Sequence, residues 1–264
     1  MLLEIKNLSV EYYRGEKVIS AVRGVSLRLE AGKSLGLVGE SGSGKSTIAL
    51  AILKLIGGHE GEITRGEILF EGRDLLALPS EEIRNVRGKD IGIIFQDPFS
   101  SLNPVLRIGE QIEETIAIHS PDSLSKSILK DRTMEVLKNV RLPDPARIYQ
   151  SYPHQVSGGQ RQRAMIGMAI ANHPKLLIAD EPTTALDVTV QKEILDLLTK
   201  LQREMNMALI LITHHLGIVS QIAEDLYVLY QGEIVEQGKT GKILKHPQHP
   251  YTQNLLNAIP GIRL

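Results

Sequence analysis

The 264-residue sequence has no cysteine and no tryptophan, and only 4% of its residues are aromatic. The lack of cysteine excludes disulfides, thiolate metal sites and iron–sulfur ligands. Neither charge prevails, and the net charge of -1 argues against a protein that coats nucleic acid. No apolar run approaches the length that spans a bilayer, and the N-terminal residues lack the apolar core of a signal peptide. We therefore expect a cytoplasmic protein that would reach a membrane only through a partner.

Glycine, by contrast, clusters in residues 39–47, GESGSGKST, which fit the P-loop pattern G-x-x-x-x-G-K-[ST]. A predicted buried strand at 34–38 precedes this stretch and a predicted helix at 47–56 follows it, as a phosphate-binding P-loop requires. Backbone N–H groups would surround the phosphates, Lys45 would reach the β- and γ-phosphates, and the Ser46 hydroxyl would ligate Mg²⁺. The residues expected to bind nucleotide here are Gly39, Ser41, Gly42, Ser43, Gly44, Lys45, Ser46 and Thr47.

The pattern of apolar residues predicts an α/β fold: a P-loop core with a mostly parallel sheet, a small antiparallel β-subdomain and a helical insertion. Continuous apolar runs, typical of buried parallel strands, occupy residues 34–38, 90–96, 176–181 and 208–212. Runs that predict antiparallel strands and a hairpin occupy residues 3–13, 21–29, 66–72 and 225–238.

We expect one domain with three parts. The nucleotide-binding core and its antiparallel subdomain would comprise residues 1–96 and 173–238. A helical subdomain would occupy residues 97–172, and a tail with two short helices would occupy residues 239–264.

Three predicted parallel strands end in polar residues, at the edge where open α/β sheets bind ligands. Gln96 ends one of them, although a plain polar strand end explains it equally well. Asp180 and Glu181 end another; the first would hold Mg²⁺ and the second would activate the attacking water, or the pair would only cap the next helix. His214 follows the third and would bind a γ-phosphate, although a lone histidine there is more often structural.

A second glycine-containing stretch, residues 157–160 (SGGQ), immediately precedes a predicted helix. It fits either a second anion-binding helix N-terminus or a plain helix cap, and the residues alone favour the cap. It cannot serve the phosphates of the P-loop unless the fold or a second copy of the chain brings the two together.

Tyrosines near the N-terminus and histidines near the C-terminus each allow two interpretations. Tyr12 or Tyr13 could stack on a nucleotide base or simply pack in a β-layer. His246 and His249 could suggest a metal site, but the prolines beside them favour a surface turn.

The order of these motifs resembles that of the ATP-binding subunit of an ABC transporter over essentially the whole chain. The signature-like stretch begins with Val156 where that family usually has leucine, and His215 stands where it usually has an acidic residue. The motifs that carry the resemblance are the P-loop, Gln96, residues 157–160, Asp180-Glu181, Leu186-Asp187 and His214.

Further stretches resemble the oligopeptide, dipeptide and nickel importer group. These are residues 95–104 (FQDPFSSLNP), 249–252 (HPYT) and 66–75, the last like the first of the two ATPase subunits of such systems. Members of this importer group often continue into a cysteine-rich segment that holds an iron–sulfur cluster. Because this sequence has no cysteine, we do not expect such a cluster here. The resemblance implies import of di- or oligopeptides, with nickel or oligosaccharide import as alternatives.

The resemblance also implies an ATPase that binds ATP and Mg²⁺ between two cassettes dimerised head to tail. The catalytic residues it implies are Lys45, Gln96, Glu181 and His214, and the metal ligands are Ser46, Gln96 and Asp180. Nucleotide contacts beyond the P-loop would come from Tyr12 on adenine and, toward the partner's ATP, from Ser157, Gly158, Gly159 and Gln160.

The implied partners are two transmembrane permease subunits, a second, paralogous ATPase subunit and a substrate-binding protein, with no nucleic acid. The chain would then be peripheral on the cytoplasmic face of the cell membrane. Its helical block, with Phe99 and Leu102 exposed nearby, would grip a cytoplasmic helix of the permeases.

Two other functions fit the P-loop less well. A non-transport ABC ATPase that acts on DNA or ribosomes would carry long coiled coils or two cassettes, but residues 48–156 show no sustained heptads and one cassette is present. A small-molecule kinase would leave residues 157–160 unexplained.

Overall fold

The computed structural model describes residues 1–58, 60–97, 101–120, 124–184 and 186–257. Contacts divide them into two compact units: unit 1 comprises residues 1–84 and the chain from 208 onward, and unit 2 comprises residues 85–207. None of the described helices is both long and apolar enough to cross a membrane.

Unit 1 contains strands of two kinds. Its strands are β1 (Leu3–Arg14), β2 (Lys17–Leu29), β3 (Ser34–Val38), β4 (Gly61–Phe70), β5 (Arg73–Asp74), β8 (Ala208–Thr213), β9 (Asp225–Tyr230) and β10 (Glu233–Lys239). The first group is an antiparallel sheet in the order β2-β1-β4-β5. In the second group, β3 lies between β8 and β9 and runs parallel to both, while β9 and β10 form an antiparallel hairpin. The predicted combination of parallel core and antiparallel subdomain is confirmed.

Short helices complete unit 1. They are α1 (Lys45–Ile52), α8 (Leu216–Ile222), α9 (Thr240–Lys245) and α10 (Pro250–Asn257), and α2 (Ser80–Val86) leads out of the unit. Helix α8 packs tightly on β3. A Cβ added at Gly36 of the strand would lie only 2.2 Å from Cγ1 of Val219 in the helix. All five residues of β3 are buried, which places the strand before the P-loop in the centre of the core.

Unit 2 contains a pair of strands and a group of helices. The strands are β6 (Ile91–Ile94) and β7 (Leu176–Asp180), which run parallel with Ile94 opposite Ala179. The helices are α3 (Ile108–Ile118), α4 (Lys126–Asn139), α5 (Pro145–Gln150), a 3₁₀ turn (Pro153–Gln155), α6 (Gly158–Ile170) and α7 (Val188–Glu204). The predicted helical insertion is therefore confirmed.

Strand β4 differs most from the sequence-based expectation of 66–72. It begins at Gly61, and Gly66 lies at an irregularity in its pairing with β1 rather than at its start. Gly66 has a φ of 111°, and a Cβ there would lie 2.6 Å from Cα of Leu8. Glycine inside a strand commonly marks such a bulge, and in the sequence alone it resembles the glycine of a strand boundary.

Candidate nucleotide site

The P-loop connects β3 to α1, as predicted. Gly42 and Gly44 adopt left-handed backbone angles, with φ of 79° and 104°, and Gly44 is the N-cap of α1. Because Gly44 has no side chain, the N-cap residue makes no side-chain hydrogen bond to the start of α1, where the first N–H groups of a helix have no intrahelical acceptor. Such groups at the end of a helix dipole favour an anion.

The Lys45 side chain is buried and lies against the loop itself. Its ammonium donates to the backbone carbonyls of Gly39 at 2.8 Å and Glu40 at 2.7 Å. Only 5% of Lys45 is exposed. A buried ammonium held by two carbonyls is already oriented within the loop, so a phosphate would not have to order a flexible chain.

Neighbouring backbone holds the P-loop from two sides. The N–H of Gly232, in the turn between β9 and β10, donates to the Ser43 carbonyl at 3.0 Å. A Cβ at Gly39 would lie 2.2 Å from the Leu229 carbonyl oxygen, and one at Gly44 would lie 2.3 Å from the Ala21 carbonyl oxygen. Only glycine permits these close approaches, so packing alone requires glycine at both positions.

The third predicted strand end lies beside the P-loop within unit 1. Val38, the last residue of β3, pairs with Thr213, the last residue of β8, and the exposed His214 follows. The Thr213 hydroxyl accepts a hydrogen bond of 3.1 Å from the N–H of His215. That contact fixes the backbone on either side of His214, which follows the carboxyl end of β8.

Unit 2 brings together the other two predicted strand ends. Because β6 and β7 are parallel and in register, Gln96 lies just beyond the end of one strand, while Asp180 ends the neighbouring strand and Glu181 follows it. Asp180 is only 6% exposed, whereas Gln96 is exposed. A carboxylate and an amide oxygen at one edge match the ligands that Mg²⁺ prefers.

Glu181 has an unusual backbone conformation that the sequence did not predict. Its φ of 45° lies in the left-handed region, which costs energy for a residue with a side chain. The Thr184 hydroxyl donates to Oε2 of Glu181 at 2.8 Å, and the Thr184 N–H donates to the Glu181 carbonyl at 3.2 Å. In the sequence, this turn could have been predicted from the threonine that lies three residues after Glu181.

Residues 157–160 form a helix cap in the single chain. The Ser157 hydroxyl accepts from the N–H of Gln160 at 3.3 Å, and the Gln160 side chain accepts from the N–H of Ser157 at 3.1 Å. Ser157 and Gly158 are exposed. A Cβ at Gly159 would lie 2.9 Å from Cγ1 of Val190, so packing against α7 explains that glycine.

The two tyrosines differ in their contacts. Tyr13 donates a short hydrogen bond of 2.6 Å to Glu62, and this bond raises the pKa of the phenol to about 12. The Tyr12 ring lies over Gly61, where a Cβ would lie 2.6 Å from Cδ1 of the ring. Both tyrosines are half-exposed, but the Tyr13 side chain is tethered to Glu62 through its hydroxyl, so Tyr12 is the better candidate for a base contact.

The expectation that Leu102 is exposed is wrong, because Leu102 is only 2% exposed. The side chain of Gln111, on α3, accepts from the N–H of Asn103 and donates to its carbonyl, at 2.9 and 3.1 Å. These bonds draw the loop onto the helix and bury the leucine. Phe99 lies outside the described residues.

The structure also bears on metal binding. Among the described residues, no group of three or more histidine, aspartate and glutamate side chains could hold a metal ion. In the tail, His249 instead accepts a hydrogen bond of 3.2 Å from the N–H of Tyr251. The remaining candidate donors, the Ser46 hydroxyl, the Gln96 amide and the Asp180 carboxylate, are all oxygen ligands suited to a hard cation.

With this geometry established, comparison with known proteins identifies the class. Residues 22–184 match the ABC transporter family model, and residues 235–263 match the model of the oligopeptide/dipeptide transporter C-terminal region. The chain belongs to the ABC transporter family and is an ABC-type ATPase.

Two of its relatives are ATP-binding proteins of oligopeptide and dipeptide transport. The chain is 50% identical over 263 residues to the oligopeptide transport ATP-binding protein OppD of Bacillus subtilis (strain 168), covering 99% of this chain and 72% of that protein. It is 50% identical over 259 residues to the dipeptide transport ATP-binding protein DppD of Haemophilus influenzae, covering 98% and 78%.

A solved structure agrees with the fold. The dimeric ATP-binding cassette MJ0796 bound to ADP and Pi is 31% identical and superposes with a TM-score of 0.81, covering 90% of this chain and 99% of that chain. The predicted ABC ATPase fold is thereby confirmed.

Proposed function

We propose that this chain hydrolyses ATP to energise the import of di- or oligopeptides. The observation that carries the proposal is the 50% identity to OppD over 99% of the chain. The match of residues 235–263 to the oligopeptide/dipeptide transporter C-terminal region supports the same cargo class.

In this proposal the P-loop binds the phosphates. The N–H groups of residues 41–47 surround them, and the Lys45 ammonium moves from the loop carbonyls toward the β- and γ-phosphates. The buried position of Lys45 supports this role, because a cation in a site of low dielectric offsets phosphate charge more strongly than one in water.

Magnesium would be held by the Ser46 hydroxyl, the Gln96 side chain and the Asp180 carboxylate. The ion supplies positive charge that stabilises the transferring phosphoryl group. The proposal is supported by the oxygen chemistry of these three donors and by the burial of Asp180, which favours a charged partner.

Glu181 would accept a proton from the attacking water, and His214 would hydrogen-bond the γ-phosphate. The hydrogen bond from Thr184 supports a fixed orientation of the Glu181 carboxylate, as a general base requires. Tyr12 would stack on the adenine, for which its half-exposed ring is suited.

The site would be completed by a second cassette. Ser157, Gly158, Gly159 and Gln160 would contact ATP held by the P-loop of a paralogous ATPase subunit. The exposure of Ser157 and Gly158 supports this arrangement, since both remain available to a partner. ATP would then lie within the interface, so that binding closes the dimer and hydrolysis releases it.

The assembled transporter would contain two permease subunits and a substrate-binding protein, and this chain would lie on the cytoplasmic face of the cell membrane. Residues 1–96 and 173–238 would form the catalytic core and residues 97–172 the subdomain that contacts the permeases. Residues 239–264 would form the C-terminal tail of the same domain.

The test is the ATPase rate per molecule as a function of concentration, for this chain alone and with its paralogous partner. We expect a poor rate in dilute solution and a large increase when the partner and permeases are added. Ser157→Arg should impair hydrolysis at the partner's P-loop while leaving ATP binding by its own P-loop intact. A high rate in a verified dilute monomer would overturn the shared-site mechanism.

A further inference from the structure

The tail is anchored to the β9–β10 hairpin by one carboxylate. Glu236, on β10, accepts hydrogen bonds from the N–H groups of Gln248 at 2.8 Å and His249 at 3.1 Å. Burial alone would raise the pKa of Glu236, but the hydrogen bonds it accepts outweigh burial and lower the pKa below its ordinary value. The ionised carboxylate therefore holds the start of α10 in a fixed place.

The anchored helix places an aromatic residue against the P-loop. Tyr251 is only 8% exposed, and its ring centroid lies 4.2 Å from that of Tyr230 at the end of β9. Its hydroxyl accepts a hydrogen bond of 2.8 Å from the backbone N–H of Glu40, the second residue of the P-loop. The residues joined by this bond are 211 positions apart in the sequence.

The Glu40 N–H belongs to the same peptide unit as the Gly39 carbonyl. That carbonyl accepts a hydrogen bond of 2.8 Å from Lys45 Nζ. One peptide unit is thus held at both polar ends, by Tyr251 of the tail on one side and by Lys45 on the other. A peptide fixed in this way cannot rotate without losing a buried hydrogen bond.

We propose that Tyr251 is a positioning residue for nucleotide binding, whose hydroxyl fixes the Gly39–Glu40 peptide and thereby the starting position of Lys45. The inference rests on the proposed role of the P-loop and extends it to a residue of the tail. If the inference holds, the tail contributes to the nucleotide site through the Tyr251 hydroxyl, in addition to any role in assembly.

The test compares two variants that each remove one hydroxyl from the same pair of stacked rings. Tyr251→Phe removes the acceptor for Glu40, whereas the control Tyr230→Phe removes a hydroxyl that accepts from the side chain of Gln231, outside the P-loop. The dissociation constant for ATP is measured on the full chain by equilibrium titration with a fluorescent ATP analogue. In the assembled transporter, KM and kcat are measured separately.

We expect Tyr251→Phe to raise the ATP dissociation constant and KM about three- to tenfold, because it removes one hydrogen bond. The value of kcat should stay within about twofold of the wild type. Tyr230→Phe should bind ATP like the wild type. A purely structural role would lower the unfolding temperature and leave the ATP affinity of the folded protein unchanged. Equal affinities for Tyr251→Phe and Tyr230→Phe would therefore overturn the inference.

A measurement on the unmodified chain keeps the inference testable if Tyr251→Phe does not fold. The Glu40 amide, bonded to a buried acceptor, should exchange with solvent at least about tenfold more slowly than in an unstructured loop. Exchange at the unstructured rate would contradict the inference. A wild-type chain that fails to bind ATP would instead contradict the proposed function, so the two failures are distinguishable.

Discussion

The hydroxyl of Thr184 donates a hydrogen bond of 2.8 Å to Oε2 of Glu181. Glu181 itself has left-handed backbone angles, which a residue with a side chain adopts at an energetic cost. The strained backbone and the threonine together fix the carboxylate of the proposed general base relative to the end of β7. Both features are local to the turn that follows the strand.

Glu181→Gln should retain ATP binding and lose turnover by about a hundredfold or more, because an amide cannot accept the proton of the attacking water. The variant should also accumulate as the closed, ATP-bound dimer, since the nucleotide in the interface persists. Steady-state turnover and size-exclusion chromatography with ATP measure the two effects. Hydrolysis near the wild-type rate would remove Glu181 from this role.

Thr184→Val should lower turnover about fivefold without a change in ATP affinity, since it removes one hydrogen bond that orients the carboxylate. Thr184→Ser, which keeps a hydroxyl, is the matched control and should stay near the wild-type rate. If valine and serine variants turn over equally fast, the hydrogen bond has no part in catalysis.

Lys45→Ala should raise the dissociation constant for ATP at least about tenfold, because the site loses the ammonium that offsets phosphate charge. Lys54 offers a control, since its ammonium also donates to two backbone carbonyls, those of Leu76 and Leu78, away from the P-loop. Lys54→Met should reduce stability and leave ATP affinity intact. Unchanged affinity in Lys45→Ala, measured by equilibrium titration, would contradict the P-loop assignment.

Gly159→Ala should destabilise unit 2 by about 1 kcal/mol, because its Cβ would lie 2.9 Å from Val190. Gly158→Ala is the matched control: within the described part of the chain, its Cβ would meet Leu186 alone, at an ordinary 3.8 Å. Urea unfolding of both variants measures the difference. A stability loss of equal size at the two positions would contradict the packing explanation for Gly159.

Tail docking should weaken in acid. The folded-state pKa of Glu236 is lowered, so its contribution to stability is present above its unfolded value of 4.5 and is lost as the pH falls through the folded value. Glu236→Gln should lose part of this stability at neutral pH and show a flatter dependence below pH 4.5. Unfolding midpoints of the two proteins between pH 7 and pH 3 test this; parallel curves would exclude Glu236 as the titrating group.

Much of the fold could be predicted from the sequence, as could the placement of the candidate site residues in the P-loop and at strand ends, because strand patterns and the P-loop are local signals. Contacts between distant residues did not follow. Nothing in the sequence pairs Tyr251 with Glu40, and the hydrogen bonds of Gln111 that bury Leu102 depend on a folded loop. Residues 249–252 (HPYT) indicated the importer group from the sequence alone. The contact of Tyr251 with the P-loop, however, is visible only in the folded chain.

Local ambiguity accounts for the remaining differences. In a sequence, a glycine that ends a strand looks the same as a glycine that forms a β-bulge. The pairing of β4 with β1 shows that Gly66 forms a bulge. The sequence of residues 157–160 favours a helix cap but is also compatible with an anion site, since both use the N–H groups at the start of a helix. The cap is formed in the chain, and the second role depends on a partner.

Unit 1 is formed by two separate segments of the chain, which affects its folding during synthesis. Strand β3 is buried between β8 and β9, yet both neighbours belong to the segment from residue 208 onward, while unit 2 is one continuous stretch. At roughly 5–20 residues per second, a ribosome takes on the order of 10–35 seconds to proceed from the end of β3 to the end of β8. During that interval the apolar side chains of Leu35, Leu37 and Val38 in β3 lack their partners, so nascent chains that stop before residue 208 should aggregate or recruit chaperones.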